Sequence, residues 1–151
     1  MPHPLIDRSH NQLAKAVQFG KSTSEESIKS YCWVLLNTYA EKQDLQVVRE
    51  VSVPGTKGRN VRPDGVLNNS WGLTLGYWES KDEADDLEEE IDIKLKKGYP
   101  FTNILFEDSR TAVLFQYGEE VGRASMRDPD KLHALVMQCF SYKRATVTYF
   151  E

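Results

Sequence analysis

The sequence lacks the excess of positive charge that proteins need when they hold nucleic acid by charge alone. Its 151 residues include 19 Lys and Arg against 23 Asp and Glu, which gives a formal net charge of −4 and a pI near 5.5. Proteins that coat nucleic acid are normally basic. The composition therefore argues against a general nucleic-acid coater, and a content of 40% hydrophobic residues excludes the disordered and collagen-like classes.

Cysteine is equally scarce, and long apolar runs are missing. Cys32 and Cys139 lie in apolar segments without the Cys-x-x-Cys or Cys/His spacing of a zinc or redox site, so we expect two core thiols in a reducing compartment. No apolar run approaches the roughly 18 residues of a membrane span. The N-terminus also lacks the basic and apolar regions of a secretory signal. The sequence therefore predicts a cytoplasmic protein without a membrane partner.

The spacing of apolar residues predicts helices and strands in a single domain, residues 1–151. The predicted elements, in chain order, are helices over 5–19 and 22–42, strands over 45–53, 61–67 and 73–81, a helix over 83–97, strands over 104–106 and 112–117, and a helix from Asp128 onward. Three consecutive strands with short connections indicate an antiparallel meander. We expect an α/β fold of order α-α-β-β-β-α-β-β-α, with a mixed central sheet flanked by helices on both faces.

Two of these strands carry residues that suit metal-assisted phosphate chemistry. Pro63 and Asp64 lie on one strand, and Glu79, Ser80 and Lys81 end the next. Alternate side chains of a strand share a face, so Glu79 and Lys81 point the same way and Asp64 can face them across the sheet. Two carboxylates with open positions suit Mg²⁺, which keeps waters and takes ligands from a substrate phosphate. A neighbouring lysine can position a water and stabilise negative charge in a transition state.

Together, Pro63-Asp64 and Glu79-Ser80-Lys81 resemble the signature of the PD-(D/E)xK phosphodiesterases. The resemblance points to one particular group of these enzymes, because further sequence blocks match that group in the same order from about Ser22 to Tyr117. These blocks are Gly76-Tyr-Trp-Glu-Ser-Lys-Asp82, the acidic helix behind it, Lys97-Gly-Tyr-Pro100 and Asn103-Ile-Leu-Phe-Glu-Asp-Ser-Arg110. The series is similar to the amino-terminal endonuclease domain of type ISP restriction-modification enzymes, in which a single polypeptide carries all activities.

The resemblance implies a restriction-endonuclease-like core with a divalent metal site. Asp64 and Glu79 would bind Mg²⁺, with the backbone carbonyl of Ser80 as a further ligand, and Mn²⁺ would be able to substitute. Lys81 would be catalytic. Members of this class often add a glutamate from the helix before the sheet, and stepping back along the apolar face of that helix reaches Glu25. The same residue has capping-box spacing, so a purely structural role as a helix cap stays open.

The implied activity is Mg²⁺-dependent hydrolysis of phosphodiester bonds in double-stranded DNA by the endonuclease domain of a prokaryotic restriction-modification enzyme. In this family a helicase-like ATPase and a methyltransferase belong to the same polypeptide. Neither a Walker A motif nor a methyltransferase motif occurs in the sequence. We therefore expect ATP and S-adenosylmethionine to bind only to attached domains, and the chain to be part of a longer protein. The acidic composition predicts weak DNA binding by the chain alone.

Other interpretations of the same residues stay open. A stand-alone repair or junction-resolving nuclease would keep the fold and the site, whereas a non-catalytic docking domain would use the carboxylates for structure. Lys57, Arg59 and Arg62 lie in or just after a glycine-bounded loop close to Asp64, and they either contact DNA phosphates or form a solvated loop. The acidic residues at the start of the 83–97 helix are interpreted as a solvated first turn that suits the helix dipole. On the same helix, Glu90 with Lys94 and Asp92 with Lys96 have the spacing of favourable i,i+4 pairs.

Overall fold

A computed structural model describes residues 3–18, 25–81 and 86–142 of the chain. Its elements, in chain order, are α1 (Pro4–Gln18), α2 (Glu25–Glu41), β1 (Leu45–Arg49), β2 (Val53–Pro54), β3 (Asn60–Val61), β4 (Gly65–Asn69), β5 (Thr74–Ser80), α3 (Leu87–Lys97), β6 (Asn103–Glu107), β7 (Thr111–Gln116), β8 (Glu119–Ser125) and α4 (Pro129–Phe140). All four predicted helices are present, and the strands are more numerous than predicted.

Six strands form one mixed sheet in the order β1-β4-β5-β6-β7-β8. Neighbouring strands are antiparallel except for β5 and β6, which run parallel because α3 carries the chain back between them. The antiparallel arrangement of β1, β4 and β5 confirms the predicted meander. The short strands β2 and β3 pair with each other in a separate antiparallel hairpin.

Helices cover both faces of the sheet, as predicted. Alternate residues of a strand point to opposite faces, so Leu105 and Leu114 pack in one core with residues of α1, α2 and α4. Ile104, Phe106 and Val113 pack in a second core with residues of α3. The described part of the chain therefore has three layers around two cores, which confirms the predicted α/β class.

Two predicted strands are each divided in the structure. The strand predicted over 45–53 ends at Arg49, because Glu50 has a φ of 55°, which is incompatible with an extended strand. The strand predicted over 61–67 is interrupted around Pro63, which has no N–H to donate to a ladder. The second interruption leaves a short irregular segment immediately before β4.

The sequence analysis missed β8, the strand at one edge of the sheet. Of its residues only Ala124 is buried, so the strand lacks the strong alternation of apolar and polar residues that predicts a half-buried strand. Glu119, Glu120 and Arg123 are exposed on it. Charged side chains on an edge strand oppose pairing with another chain, which explains why a strand can have this composition.

Both ends of α3 are capped. Asp86 is the N-cap and accepts two backbone hydrogen bonds from the first turn. Gly98 ends the helix with a φ of 92°, a left-handed conformation that favours glycine. Residues 82–85, which include the predicted start of this helix, lie outside the described residues. The predicted surface pair between Asp92 and Lys96 is confirmed at 2.8 Å.

The first residues that the structure describes meet α4. His3 Nε2 lies 2.7 Å from Asp130 Oδ1, and the rings of His3 and His133 stack with their centroids 4.5 Å apart. On the same side, Tyr39 OH of α2 lies 2.8 Å from His133 Nδ1. These contacts fasten His3 and α2 to α4, the last helix among the described residues.

Asn103 joins β6 to its neighbours through a buried polar network. Its side chain is fully buried, and Nδ2 donates to the carbonyl oxygens of Leu75 at 2.9 Å and Cys139 at 2.8 Å. Its Oδ1 accepts a hydrogen bond from Gln116 Nε2 at 3.0 Å. A Cβ at Gly76 would lie 2.6 Å from Asn103 Nδ2, so the glycine makes room for the network.

The cysteines behave as core residues, as predicted. Cys32 and Cys139 are free and buried, and burial raises the pKa of Cys139 to about 12, so this thiol is a poor source of thiolate. In the described ranges, none of the helices combines the length and the apolar character that crossing a lipid bilayer requires.

Candidate active site

Asp64 lies where the chain enters β4, and both oxygens of its carboxylate are bonded. Oδ1 accepts a hydrogen bond from Lys29 Nζ of α2 at 3.0 Å. Oδ2 accepts a hydrogen bond from the backbone N–H of Ser80 at 2.8 Å. The register of β4 and β5 starts with Gly65 opposite Trp78, so the Ser80 N–H lies beyond that ladder and bonds a side chain instead.

Glu79 contacts Asp64 from the neighbouring strand. Glu79 Oε1 accepts a hydrogen bond from the backbone N–H of Asp64 at 2.9 Å, and Glu79 Oε2 lies 3.5 Å from Lys94 Nζ of α3. The Glu79 side chain is only 4% exposed. The structure therefore brings together the two carboxylates that the sequence analysis selected, with one lysine beside each of them.

Lys81 follows directly on β5, and its ammonium group contacts α3. Lys81 Nζ lies 3.3 Å from Glu90 Oε2, and the lysine side chain is 25% exposed. The backbone N–H of Lys81 donates to the carbonyl oxygen of Glu107 at 2.8 Å, which continues the pairing of β5 with β6. Lys81 is thus fixed at its backbone and remains reachable at its side chain.

The predicted pair between Glu90 and Lys94 on the surface of α3 is replaced by contacts with the strand. Glu90 lies against Lys81, and Lys94 lies against Glu79. Residues four apart on a helix share a face, and here that face turns towards the sheet. Two residues that the sequence analysis assigned to the helix surface therefore belong to the candidate site.

The electrostatics of Glu79 reflect its burial and its neighbour. Burial, together with the nearby Asp64 carboxylate, raises the pKa of Glu79 from 4.5 to about 7, although Lys94 and the hydrogen bond from the Asp64 backbone act in the opposite direction. Burial lowers the pKa of Lys94, but the Glu79 carboxylate and Tyr99 together more than offset this effect, and the pKa of Lys94 is raised. Two carboxylates held this close repel each other and favour a cation between them.

We expect the raised pKa of Glu79 to make the metal-free protein less stable as the pH rises. The folded state favours protonated Glu79, an advantage that is complete below about pH 4.5 and is lost as the pH rises through about 7. In EDTA, the unfolding free energy of wild type relative to Glu79→Gln should fall by on the order of 2 kcal/mol between about pH 5 and 8. Urea unfolding at both pH values measures this difference, and a difference that does not change with pH would contradict the prediction.

The donors at this site suit Mg²⁺ or Mn²⁺. The carboxylates of Asp64 and Glu79 are hard oxygen donors, and Mg²⁺ commonly takes only one or two carboxylates from a protein. Within 3–18, 25–81 and 86–142, no group of three or more His, Cys, Asp or Glu side chains is arranged to hold a metal ion. Glu25 is the first residue of α2, and its side chain lies outside the described residues. Its proposed role therefore stays a prediction, as does that of the Ser80 carbonyl.

Lys29 and Glu107 also lie close to the site, and the sequence analysis missed both. Lys29 follows Glu25 by four residues and so occupies the same face of α2, a spacing that could have drawn attention to it. Glu107 is the register partner of Ser80, which places it on the sheet face opposite Glu79. It is 1% exposed, and burial raises its pKa. Its Oε2 accepts a hydrogen bond from the Ser109 N–H at 2.8 Å.

The three basic residues proposed to contact DNA are all exposed. Lys57 and Arg59 lie in the turn between β2 and β3, and Arg62 follows β3. The turn is attached to the end of α3, because the Thr56 N–H donates to the Gly98 carbonyl oxygen at 2.8 Å. The turn that carries Lys57 and Arg59 is therefore fastened to α3, and the contacts of the three residues with DNA stay a prediction.

The architecture defines the class of protein. The chain has a mixed sheet with helices on both faces, and its Asp and Glu-x-Lys residues lie where β4 begins and β5 ends. This arrangement is a domain of the restriction-endonuclease-like fold. The chain is similar to part of the DrdV chain in a cryo-EM structure of a DrdV–DNA complex, with a TM-score of 0.90, 44% identity and 94% of this chain covered. This similarity confirms the predicted resemblance to the PD-(D/E)xK nuclease domain of type ISP restriction-modification enzymes.

The chain spans 14% of the length of that DrdV chain. More distant structures include a DUF820 protein from Anabaena variabilis assigned as a nuclease, with a TM-score of 0.47 and 11% identity over 74% of this chain and 81% of that one. Another is a fragment assigned as an HsdR subunit of a type I restriction enzyme from Vibrio vulnificus, with a TM-score of 0.43 and 15% identity over 78% of this chain and 26% of that one. The sequence matches no model of a known protein family, and it matches no curated protein.

Proposed function

We propose that the chain is the endonuclease domain of a restriction-modification enzyme and that it hydrolyses phosphodiester bonds of double-stranded DNA with Mg²⁺. The observation that carries the proposal is the contact between the two carboxylate residues, in which Asp64 N–H donates to Glu79 Oε1 at 2.9 Å. Glu79 is buried at the cost of a raised pKa, and a cation held by both residues would remove that cost. The similarity to DrdV, which was solved bound to DNA, also supports this proposal.

Asp64 and Glu79 would hold the metal, with the Ser80 carbonyl and Glu25 as further candidate ligands. When bound, Mg²⁺ would supply the positive charge that polarises a phosphate oxygen and favours ionisation of water near neutral pH. Mn²⁺ would substitute because it accepts the same oxygen ligands. Every donor proposed is an oxygen atom, which is the preference of both ions.

Lys81 would act on the substrate. Its ammonium group is held by Glu90 in the free protein and is exposed enough to approach a phosphate. There it would orient the attacking water and stabilise the charge that develops on phosphorus-bound oxygens. The expected products are a 3′-hydroxyl and a 5′-phosphate. Lys57, Arg59 and Arg62 would contact phosphates beside the scissile bond.

The remaining activities would belong to other parts of a longer polypeptide. We propose that a helicase-like ATPase and a methyltransferase, which would use ATP and S-adenosylmethionine, are attached to this domain and deliver DNA to it. The coverage of 14% of the DrdV chain is in keeping with a small domain of a large protein. The net charge of −4 fits a nuclease that binds DNA weakly until attached domains bring it.

Removal of the Asp64 charge should weaken divalent metal binding. Asp64→Asn keeps the size of the side chain but removes one charged ligand, so we expect the Mn²⁺ affinity to fall by roughly tenfold or more. Isothermal titration calorimetry of the 151-residue chain measures this change. The exposed Asp92 on α3 provides the control, because Asp92→Asn should bind Mn²⁺ like wild type. Equal binding by wild type and Asp64→Asn would refute the metal site.

A further inference from the structure

Two pairs of opposite charges join α3 to the end of β5. The pairs are Glu79–Lys94 at 3.5 Å and Lys81–Glu90 at 3.3 Å, and we call them the charge ladder. Residues two apart on a strand are separated by about 6.6 Å, and residues four apart on a helix by about 6 Å along its axis. The spacings match, and opposite signs meet only in this register. Both pairs of the charge ladder therefore form in the observed position of α3 along β5.

Lys94 is held in place from a second direction by Tyr99. Lys94 Nζ donates a hydrogen bond to Tyr99 OH at 3.4 Å, and it lies 4.6 Å from the centroid of the Tyr99 ring. A cation over an aromatic face is attracted by the ring. The ammonium group thus has a defined position between the ring and the Glu79 carboxylate.

The same contacts extend to the segment that carries Asp64. Tyr99 OH donates to the carbonyl oxygen of Arg62 at 3.3 Å, and Arg62 lies two residues before Asp64 with the buried Pro63 between them. Lys94 therefore touches one carboxylate residue directly and is linked through Tyr99 to the backbone of Arg62, two residues before the other. A single side chain of α3 connects both halves of the site.

Burial separates this pair from an ordinary surface pair on the same helix. The side chains of Glu79 and Lys94 are 4% and 17% exposed, whereas those of Asp92 and Lys96 are 57% and 75% exposed. Burying an ion pair costs desolvation and contributes little to stability on balance. The buried pair between Glu79 and Lys94 is therefore better explained by the position in which it holds the Glu79 carboxylate than by the stability that it adds.

We propose that Lys94 is a positioning residue for the metal site, an inference that rests on the proposed function. It fixes Oε2 of Glu79, while the Asp64 N–H fixes Oε1, so a divalent cation meets carboxylates that are already oriented. Groups that hydrogen-bond to metal-ligating side chains typically change metal affinity about 10–100-fold when they are removed. Lys94 acts through Glu79 and does not itself bind the cation.

Calorimetry with Mn²⁺ tests the proposal on the 151-residue chain. Lys94→Met removes the ammonium group but keeps most of the side-chain volume, and we expect the Mn²⁺ affinity to fall by roughly tenfold. Lys94→Arg restores a cation that can bond the carboxylate, and it should stay within about threefold of wild type. Lys96→Met removes an exposed lysine of the same helix and should leave the affinity unchanged. Thermal unfolding tests whether each variant is folded. If Lys94→Met does not fold, Lys94→Gln takes its place.

The outcomes separate this proposal from the proposed function. Weaker binding by Lys94→Met or Lys94→Gln, with binding restored by Lys94→Arg, supports the positioning role. Wild-type affinity in Lys94→Met or Lys94→Gln, or tighter binding, overturns it while the metal site itself stands. An equally large loss in Lys94→Arg also overturns it, because a general disturbance of packing would then explain the effect. Absence of Mn²⁺ binding by wild type refutes the proposed function and this inference together.

Discussion

Lys81→Met should slow metal-dependent nicking of supercoiled plasmid by roughly 10²-fold or more. A positioned side chain that transfers or orients a proton typically contributes about 10²–10⁴-fold to a reaction rate, and Lys81 has the only ammonium group proposed here to act on the water. Methionine keeps most of the side-chain volume while it removes the ammonium group, including its ion pair with Glu90. The measurement is conversion of plasmid to the open-circular form in Mg²⁺ or Mn²⁺ at high concentrations of the chain.

Two comparisons make this result specific to catalysis. Lys97 is an exposed lysine at the end of α3, and Lys97→Met should nick like wild type. Lys81→Met should also retain Mn²⁺ binding, because the lysine is not a metal ligand. Nicking by Lys81→Met at the rate of wild type would exclude a catalytic role for this residue.

Asn103→Ala should have the largest effect on stability among the substitutions considered. Alanine leaves the carbonyl oxygens of Leu75 and Cys139 and the amide of Gln116 without the bonds that Asn103 makes with them. An unsatisfied buried polar group costs about 1–3 kcal/mol, and Gln116 Nε2 keeps one other partner at 3.2 Å. We expect the unfolding free energy to fall by about 3 kcal/mol or more, measured by urea denaturation.

The control for this prediction is an asparagine outside the core. Asn60 is exposed on β3, so Asn60→Ala should change the unfolding free energy by no more than about 0.5 kcal/mol. The metal affinity of folded Asn103→Ala should be close to that of wild type, because Asn103 lies at the start of β6, whereas Glu79 and Lys81 lie at the end of β5. If the unfolding free energy fell by the same small amount in Asn103→Ala and Asn60→Ala, the network would be unimportant for stability.

Local sequence patterns predicted the helices, most strands and the residues at the centre of the site. The helix starting at Asp128-Pro129 has a capping residue and a proline at its first position, and the structure shows α4 beginning there. Glu79 and Lys81 could be paired from their spacing alone, because a strand puts alternate residues on one face. Such signals lie within a few residues of one another, so a single sequence contains them.

The partners of the catalytic candidates could not be found in the same way. Glu90 and Lys94 have the spacing of a surface pair on a helix, and that was the best local interpretation. It failed because β5 offers two opposite charges at a matching distance, a fact that depends on how α3 packs on the sheet. Lys29 likewise reaches Asp64 across 35 residues of sequence, a contact that no local pattern encodes.

The divided strands and β8 show a second limit of local patterns. Glu50 adopts a positive φ value without being glycine, so a turn occurs where the composition favours a strand. At Glu50 the backbone N–H donates to the Asp64 carbonyl oxygen at 3.1 Å, a tertiary contact that helps to hold the unusual conformation. Tertiary bonds of this kind decide where β1 ends.

The strand order has a consequence for how the protein folds. From β4 to β8, each strand of the sheet pairs with the strand that follows it in the sequence. The sheet can therefore grow one strand at a time. Closing the short connections between such strands costs little loop entropy, which favours rapid formation. Closure of the core is different, because His3 and Tyr39 meet Asp130 and His133 of α4. During synthesis from the N-terminus, α1 and α2 must wait for α4 before that face is covered, and the chain up to β8 would expose it to other proteins until then.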